Sequence, residues 1–229
     1  MKKFGGFLLR WIIIPFFAST IFFVVLYRFV DPPLTPLMII RVVEQVFAGE
    51  PMKIEKESVA FDEISPNIKL AVIASEDNLF MEHHGFDFKA IEKAQDYNER
   101  KKGKKIRGAS TISQQTAKNV FLWPQRSWIR KGMEVYFTFL IENIWTKKRI
   151  LDVYLNVVEM GDGIYGIEKA SQEYFHKSAK HLTREESALI AAILPNPRKW
   201  DPSHPTAYLA RRQQWILWNM GNIGPSVFN

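Results

Sequence analysis

The sequence predicts a mainly α-helical domain carried on one N-terminal membrane-spanning helix. Three observations lead there. Residues 11–27, WIIIPFFASTIFFVVLY, carry no charge. Downstream, apolar residues recur at helical spacing between recognisable caps and breakers, and few runs alternate as strands do. The 229 residues contain no cysteine, so the core needs no disulfides, and thiolate catalysis and thiolate metal sites are excluded.

The apolar run comes first. Its seventeen residues span about 26 Å as a helix, close to the hydrocarbon thickness of a bilayer. Arg10 and Arg28 flank it, Trp11 and Tyr27 sit where amphipathic rings prefer the interface, and Pro15 lies in the first turns. Lys2, Lys3 and Arg10 precede it, which predicts a cytoplasmic N-terminus and an outward-facing remainder. A cleaved signal peptide would have a shorter apolar run and a small-x-small site. Residues 1–30 are therefore read as N-terminus and anchor. Residues 31–54 are a juxtamembrane linker in which DPPLTP breaks the helix and 37–48 lies along the membrane surface. Residues 55–229 form the globular domain.

Within that domain Ser65-Pro66 starts a helix reaching about Ala74, and Asp87 caps the next. STISQQTAKNVF begins at a Ser110 cap. Residues 128–145 form a long helix, and KKRILDVYLNVVEM another, ended by Gly161. GIEKASQEYF follows, then TREESALIAAIL with Thr183 and Glu186 in a capping box. A last helix closes before Gly221. Residues 99–108, ERKKGKKIRG, hold six Lys/Arg and read as a mobile basic loop.

Formal net charge is +7 and the pI is near 9.5, which favours an anionic partner. Three polar clusters could receive it. Glu76 and Asp77 end an apolar helical run, where the helix dipole, partial burial and each other's charge disfavour ionisation and favour proton acceptance by Glu76. His83 and His84 lack the spacing of a helical zinc pair, so a histidine there holds the Glu76 turn. In the second cluster Ser110, Gln114 and Lys118 fall on one helical stripe suited to an anionic, oxygen-rich ligand such as pyrophosphate. In the third, Arg126, Arg130 and Glu134 fall at i, i+4 and i+8, as a phosphate clamp with an orienting carboxylate or as a plain surface ion pair.

In this order the clusters resemble the peptidoglycan glycosyltransferases, glycosyltransferase family 51, in their monofunctional membrane-anchored form. EDNLFMEHHGFD, GASTISQQTAKN, RKGME, KKRILDVYLNVVEMGDGIYGI and EESALIAAILPNP match its five motifs, with Ala109 in place of a glycine and Asp152 in place of Glu. The resemblance implies a lysozyme-like helical fold and polymerisation of the lipid-pyrophosphate-linked disaccharide peptide, lipid II, into glycan strands with inversion. It implies Glu76 as general base and Glu134 as the second essential carboxylate. Asp77, His83, Ser110, Gln114, Gln115, Lys118, Arg126 and Arg130 then line the substrate cleft. It requires no cofactor, although Mg²⁺ or Mn²⁺ could bridge Glu134 and the pyrophosphate. The partners implied are lipid II, the nascent glycan, membrane lipids and cell-wall synthesis or division proteins, with no nucleic acid, on the outer face of a bacterial inner membrane. The main alternative is a lysozyme-like hydrolase of finished glycan, which has no pyrophosphate to hold and hence no use for the Lys/Arg cluster. No S-x-x-K or K-T-G is present, so no penicillin-sensitive cross-linking is expected.

Overall fold

A computed structural model describes residues 9–101 and 108–224. A π-helical turn, Leu9–Ile13, leads into α1, Ile14–Tyr27. Pro15 accounts for the change of pitch, because it has no N–H to give the Trp11 carbonyl. The helices that follow are α2 (Pro36–Ala48), α3 (Pro66–Glu76), α4 (Phe88–Arg100), α5 (Ile112–Phe121), α6 (Trp128–Ile144), α7 (Lys147–Val157), α8 (Ile167–Phe175), α9 (Arg184–Ile193) and α10 (Ala207–Ile223). The described residues are mainly α. Side-chain caps set several helix starts: Thr35 for α2, Ser65 for α3, Asp87 for α4, and a Thr183–Glu186 capping box for α9.

Two boundaries differ from the sequence reading. Helix α7 stops at Val157, and Glu159–Gly161 is strand β2. It pairs antiparallel with β3 (Ile164–Tyr165), which pairs parallel with β1 (Glu55–Lys56), giving the order β1-β3-β2. The Asp162-Gly163 turn makes this possible: Gly163 has φ +70, and a Cβ there would meet the Lys53 carbonyl oxygen at 2.7 Å. Helix α10 runs through Gly221 to Ile223. A helical glycine costs only about 1 kcal/mol, and the break comes at Gly224, with φ 75.

The helices form two groups around one continuous apolar core. Helices α3, α9 and α10 pack on one another, and α5 packs on α6 and α7. Helix α3 is buried from Ile68 to Ala74, because its face toward α9 and α10 is continued on the other side by the rest of the core.

Helix α1 is docked on the domain rather than tethered to it. It packs along α6, where Thr20 Oγ1 and Tyr136 OH lie 2.8 Å apart and the Phe16 and Phe17 rings approach Tyr136. Carbonyls in the last turn of α1, where intrahelical partners run out, receive donors from the domain. Trp145 Nε1 donates to the Val24 carbonyl at 2.7 Å. Arg149 donates through Nε and Nη2 to the Tyr27 carbonyl at 3.0 and 2.9 Å. Its Nη1 also pairs with Asp31 and Asp152 at 2.8 and 2.7 Å. Burial pushes the Asp152 carboxyl up, and the Arg149 hydrogen bond pulls it back. Arg149→Ala strands these acceptors and is expected to cost about 2–3 kcal/mol, read as a lowered thermal unfolding midpoint in detergent.

Candidate active site

The adjacent carboxylates part company at the end of α3. Glu76 is the last helical residue, while Asp77 leaves the helix with φ −163 and ψ 77. Asp77 turns inward. His83 Nε2 lies 2.9 and 3.0 Å from its two oxygens, and the Ile112 backbone N–H donates to Oδ2 at 3.0 Å. Asp77 thus supplies negative charge to the N-terminus of α5. His83 Nδ1 accepts the Gly85 N–H at 3.1 Å, which leaves Nε2 as the protonated nitrogen facing Asp77. Gly85 has φ +87, and a Cβ there would stand 2.8 Å from Thr138 Cγ2, so the turn needs glycine. His83 thus ties Asp77 to the Gly85 turn beside Glu76.

Glu76 faces the other way, with a donor on each oxygen. Ser75 Oγ donates to Oε1 at 3.2 Å, and Gln115 Nε2 donates to Oε2 at 3.0 Å. Gln115 is itself oriented by Tyr154, whose hydroxyl donates to its Oε1 at 3.3 Å. Burial, then the Glu76 charge, pushes the Tyr154 phenol well up, so it stays a donor. Neither Ser75 nor Tyr154 stood out in the sequence, where each reads as an ordinary helix or core residue.

The start of α5 corrects one expectation. Thr111, not Ser110, is the N-cap, in a capping box with Gln114. Thr111 Oγ1 also donates to the Gly85 carbonyl at 2.7 Å, a tertiary contact that decides between two neighbouring hydroxyls. The Gln114 side chain is therefore turned back onto the Thr111 N–H at 3.0 Å and does not extend the stripe. Ser110 is released to a pocket of about 480 Å³ lined by Gly108, Ser110, Lys118, Pro124, Arg126, Arg130, Lys131 and Glu134.

That pocket gathers the cations. Arg130 Nη1 lies 2.5 Å from Glu134 Oε2, and Lys131 Nζ lies 2.6 Å from Oε1. Arg126 precedes Ser127, the α6 cap, so it reaches the pocket from a loop rather than along a helical stripe. Burial pushes the Lys118 ammonium down, Glu134 pulls it up, and Arg130 and Arg126 push it down again. A desolvated cation beside two guanidinium groups is a site that gains from an incoming anion. Lys118 also lines a neighbouring pocket of about 150 Å³ walled by Leu37, Arg41, Asn119, Leu122, Trp123, Pro124 and Glu159.

Glu76 does not line the cationic pocket. Helix α5 connects them: Gln115 touches Glu76, and Lys118 lies three residues, about 4.5 Å of rise, further along. Asp77, His83 and Gln114 are occupied in holding α5 and the turn before it. Among the described residues no group of three or more His, Asp or Glu is placed to hold a metal ion. Both Glu134 oxygens, through which Mg²⁺ or Mn²⁺ would act, are taken by Arg130 and Lys131. Of the basic stretch 99–108, residues 102–107 lie outside the described residues.

The Transglycosylase family model matches residues 43–221. The chain is 56% identical over 221 residues to a biosynthetic peptidoglycan transglycosylase of Bdellovibrio bacteriovorus, covering 95% of this chain and 86% of that one. It is 57% identical over 208 residues to one from Bacteroides thetaiotaomicron, covering 91% and 83% of the two chains. A Pseudomonas fluorescens relative of the same description is 52% identical over 209 residues, covering 91% and 86%.

Because Lys118 is held below the ordinary lysine range, anion binding should weaken on the alkaline side earlier than an ordinary lysine would allow. Calorimetric titration with inorganic pyrophosphate from pH 7 to 10 should show this fall. Lys118→Arg, which keeps its charge, should carry binding further up the pH scale.

Proposed function

The chain belongs to the transglycosylase family of peptidoglycan glycosyltransferase enzymes, and from that premise we propose that it joins lipid II units into glycan with Glu76 as general base. One observation carries the assignment: Glu76 is held at the start of the same helix whose Lys118 enters the cationic pocket. The acceptor sugar's 4-hydroxyl loses its proton to Glu76 as its oxygen bonds to the donor's anomeric carbon. The bond from that carbon to the pyrophosphate oxygen breaks in the same displacement, which inverts the centre. The lipid pyrophosphate leaves with charge that Lys118, Arg126 and Arg130 stabilise. Glu134 orients Arg130 and Lys131 toward it. Gln115 and Ser75 hold Glu76 by its two oxygens, and Asp77 and His83 hold the turn beneath it. The bound carbohydrate passes through an oxocarbenium-like transition state, as in glycoside hydrolysis.

The membrane geometry supports a substrate presented on a lipid. If Tyr27 marks the outer end of the span, Thr20 lies about 10 Å and Phe16 about 16 Å below it along α1. Both touch Tyr136 of α6, which puts that part of α6 inside the outer leaflet. Its outer face suits this position, with Trp128, Val135 and Phe139 exposed on one stripe and Ile129 beside it. Helix α2 presents a second such stripe in Ile39, Val43, Val46 and Phe47. We read the N-terminus as cytoplasmic and the domain as partly sunk into the outer leaflet of the inner membrane.

Glu76→Gln should lower kcat on purified lipid II by about 10²–10⁴-fold while leaving thermal stability and pyrophosphate binding near normal; undiminished turnover would remove Glu76 from the chemistry. For membrane depth, the absence of cysteine makes a nitroxide on Phe139→Cys a single reporter. It should be relaxed by oxygen and shielded from water-soluble nickel chelates in reconstituted bilayers, and the reverse pattern would lift α6 out of the lipid.

A further inference from the structure

We propose that Arg212, on the C-terminal helix α10, is a positioning residue that holds the Glu76 carboxylate for proton abstraction. This rests on Glu76 being the general base. Arg212 belongs to none of the polar clusters legible in the sequence, yet it is the one cation the described residues place within ion-pair reach of Glu76. Its Nη2 lies 3.7 Å from Glu76 Oε1. The same Nη2 donates to Ser75 Oγ at 3.3 Å, and the one Ser75 hydroxyl proton is shared between Glu76 Oε1 at 3.2 Å and the Ala191 carbonyl at 3.3 Å. Nε donates to the Ala192 carbonyl at 3.2 Å.

The electrostatic need is visible in the backbone. Glu76 is the last residue of α3, so its charge sits beside that helix's free carbonyls. Helix α9 ends at Ile193 and brings a second carbonyl end to the same place, with Ala191 and Ala192 facing Ser75 and Arg212. Two negative helix ends and a carboxylate thus converge on one point. A carboxylate with three free torsions would turn toward water there. A guanidinium that reaches both the carboxylate edge and a carbonyl of the second helix removes the repulsion and fixes the rotamer. Tyr154 and Gln115 do the same for Oε2. With Oε1 held by the Arg212–Ser75 pair, the carboxylate is clamped at both edges, and its remaining lone pairs can accept a proton from the acceptor hydroxyl without a search of rotamers.

The test is steady-state kinetics of the full-length enzyme on purified lipid II, with Glu76→Gln measured alongside. Arg212→Ala should lower kcat roughly 10- to 100-fold, the scale of a misplaced reacting group, with KM changed less than about twofold and pyrophosphate binding intact. Arg212→Lys, which keeps the charge but loses the fork, should recover part of the loss. Adding Arg212→Ala to Glu76→Gln should cost little more, since the arginine acts through that carboxylate. Arg184→Ala controls for helix packing: it removes another α9–α10 tie, from Arg184 Nη2 to the Leu217 carbonyl at 3.3 Å, and should leave kcat unchanged. Unaltered kcat in Arg212→Ala, with Glu76→Gln inactive, would overturn the positioning role alone. An equal further loss in the Glu76→Gln background would do the same. Full activity of Glu76→Gln would instead remove the base on which the proposal stands.

Discussion

The hydrogen bond from the Ile112 backbone N–H to Asp77 Oδ2 governs the geometry of the whole site. It fastens the N-terminus of α5 to the residue that directly follows Glu76. Every side chain on α5 is thereby placed relative to the carboxylate: Gln115 one turn in, Lys118 the next. Two neighbouring acids are needed because the two helix ends that meet here have opposite polarity. Asp77 sits at the positive end of α5, where a carboxylate is at home. Glu76 sits at the negative end of α3, where it is not, and has to be held there by donors. An acid pair that looks redundant in one dimension thus divides into a structural anchor and the group that the proposed chemistry uses.

The cationic pocket follows a related logic. Glu134 is buried and shared by Arg130 and Lys131. Within this pocket it satisfies two of the positive groups and leaves Lys118 and Arg126 without a carboxylate of their own. The Arg130 Nε, buried and without a hydrogen-bond partner, shows that even the paired guanidinium retains a donor. A pocket whose charges were fully paired would have little to gain from a pyrophosphate, and one with no carboxylate would carry more like-charge repulsion than its desolvation could support. One acid among four bases lies between these limits.

Much of this was legible in the sequence because local spacing carries it. Arg130 and Glu134 are four apart on one helix, Lys118 follows a run of hydroxyls and amides, and caps such as Asp87 and Thr183 act within three residues. What the sequence concealed depends on partners far along the chain. Thr111 wins the α5 cap from Ser110 because its hydroxyl also reaches the Gly85 carbonyl, and that choice turns Gln114 inward and Ser110 outward. Arg126 looked like the first member of a helical stripe, but the Ser127 cap places it in the preceding loop. Asp77 finds Ile112 across 35 positions, Arg149 finds Tyr27 across 122, and Arg212 finds Ser75 across 137. Periodicity has no means of expressing such pairings.

The membrane-proximal helices give these distant contacts a common purpose. Helix α1 packs on α6, which carries Arg130 and Glu134. Helix α2 packs on α5, which carries Lys118. Arg41 of α2 shares a pocket wall with Lys118 and pairs with Glu159 at 3.3 Å. In the proposed orientation α1 and α2 therefore rest directly on the helices that carry the side chains of the cationic pocket. A flexible tether would let the cleft wander over several ångströms above a headgroup whose own height is fixed by its lipid tail. Direct packing, with the last carbonyls of α1 tied down by Trp145 and Arg149, removes that freedom. The height of the pocket relative to the bilayer is then a property of the fold itself, and in the proposed reaction the pyrophosphate meets its cations without the domain first having to find the surface.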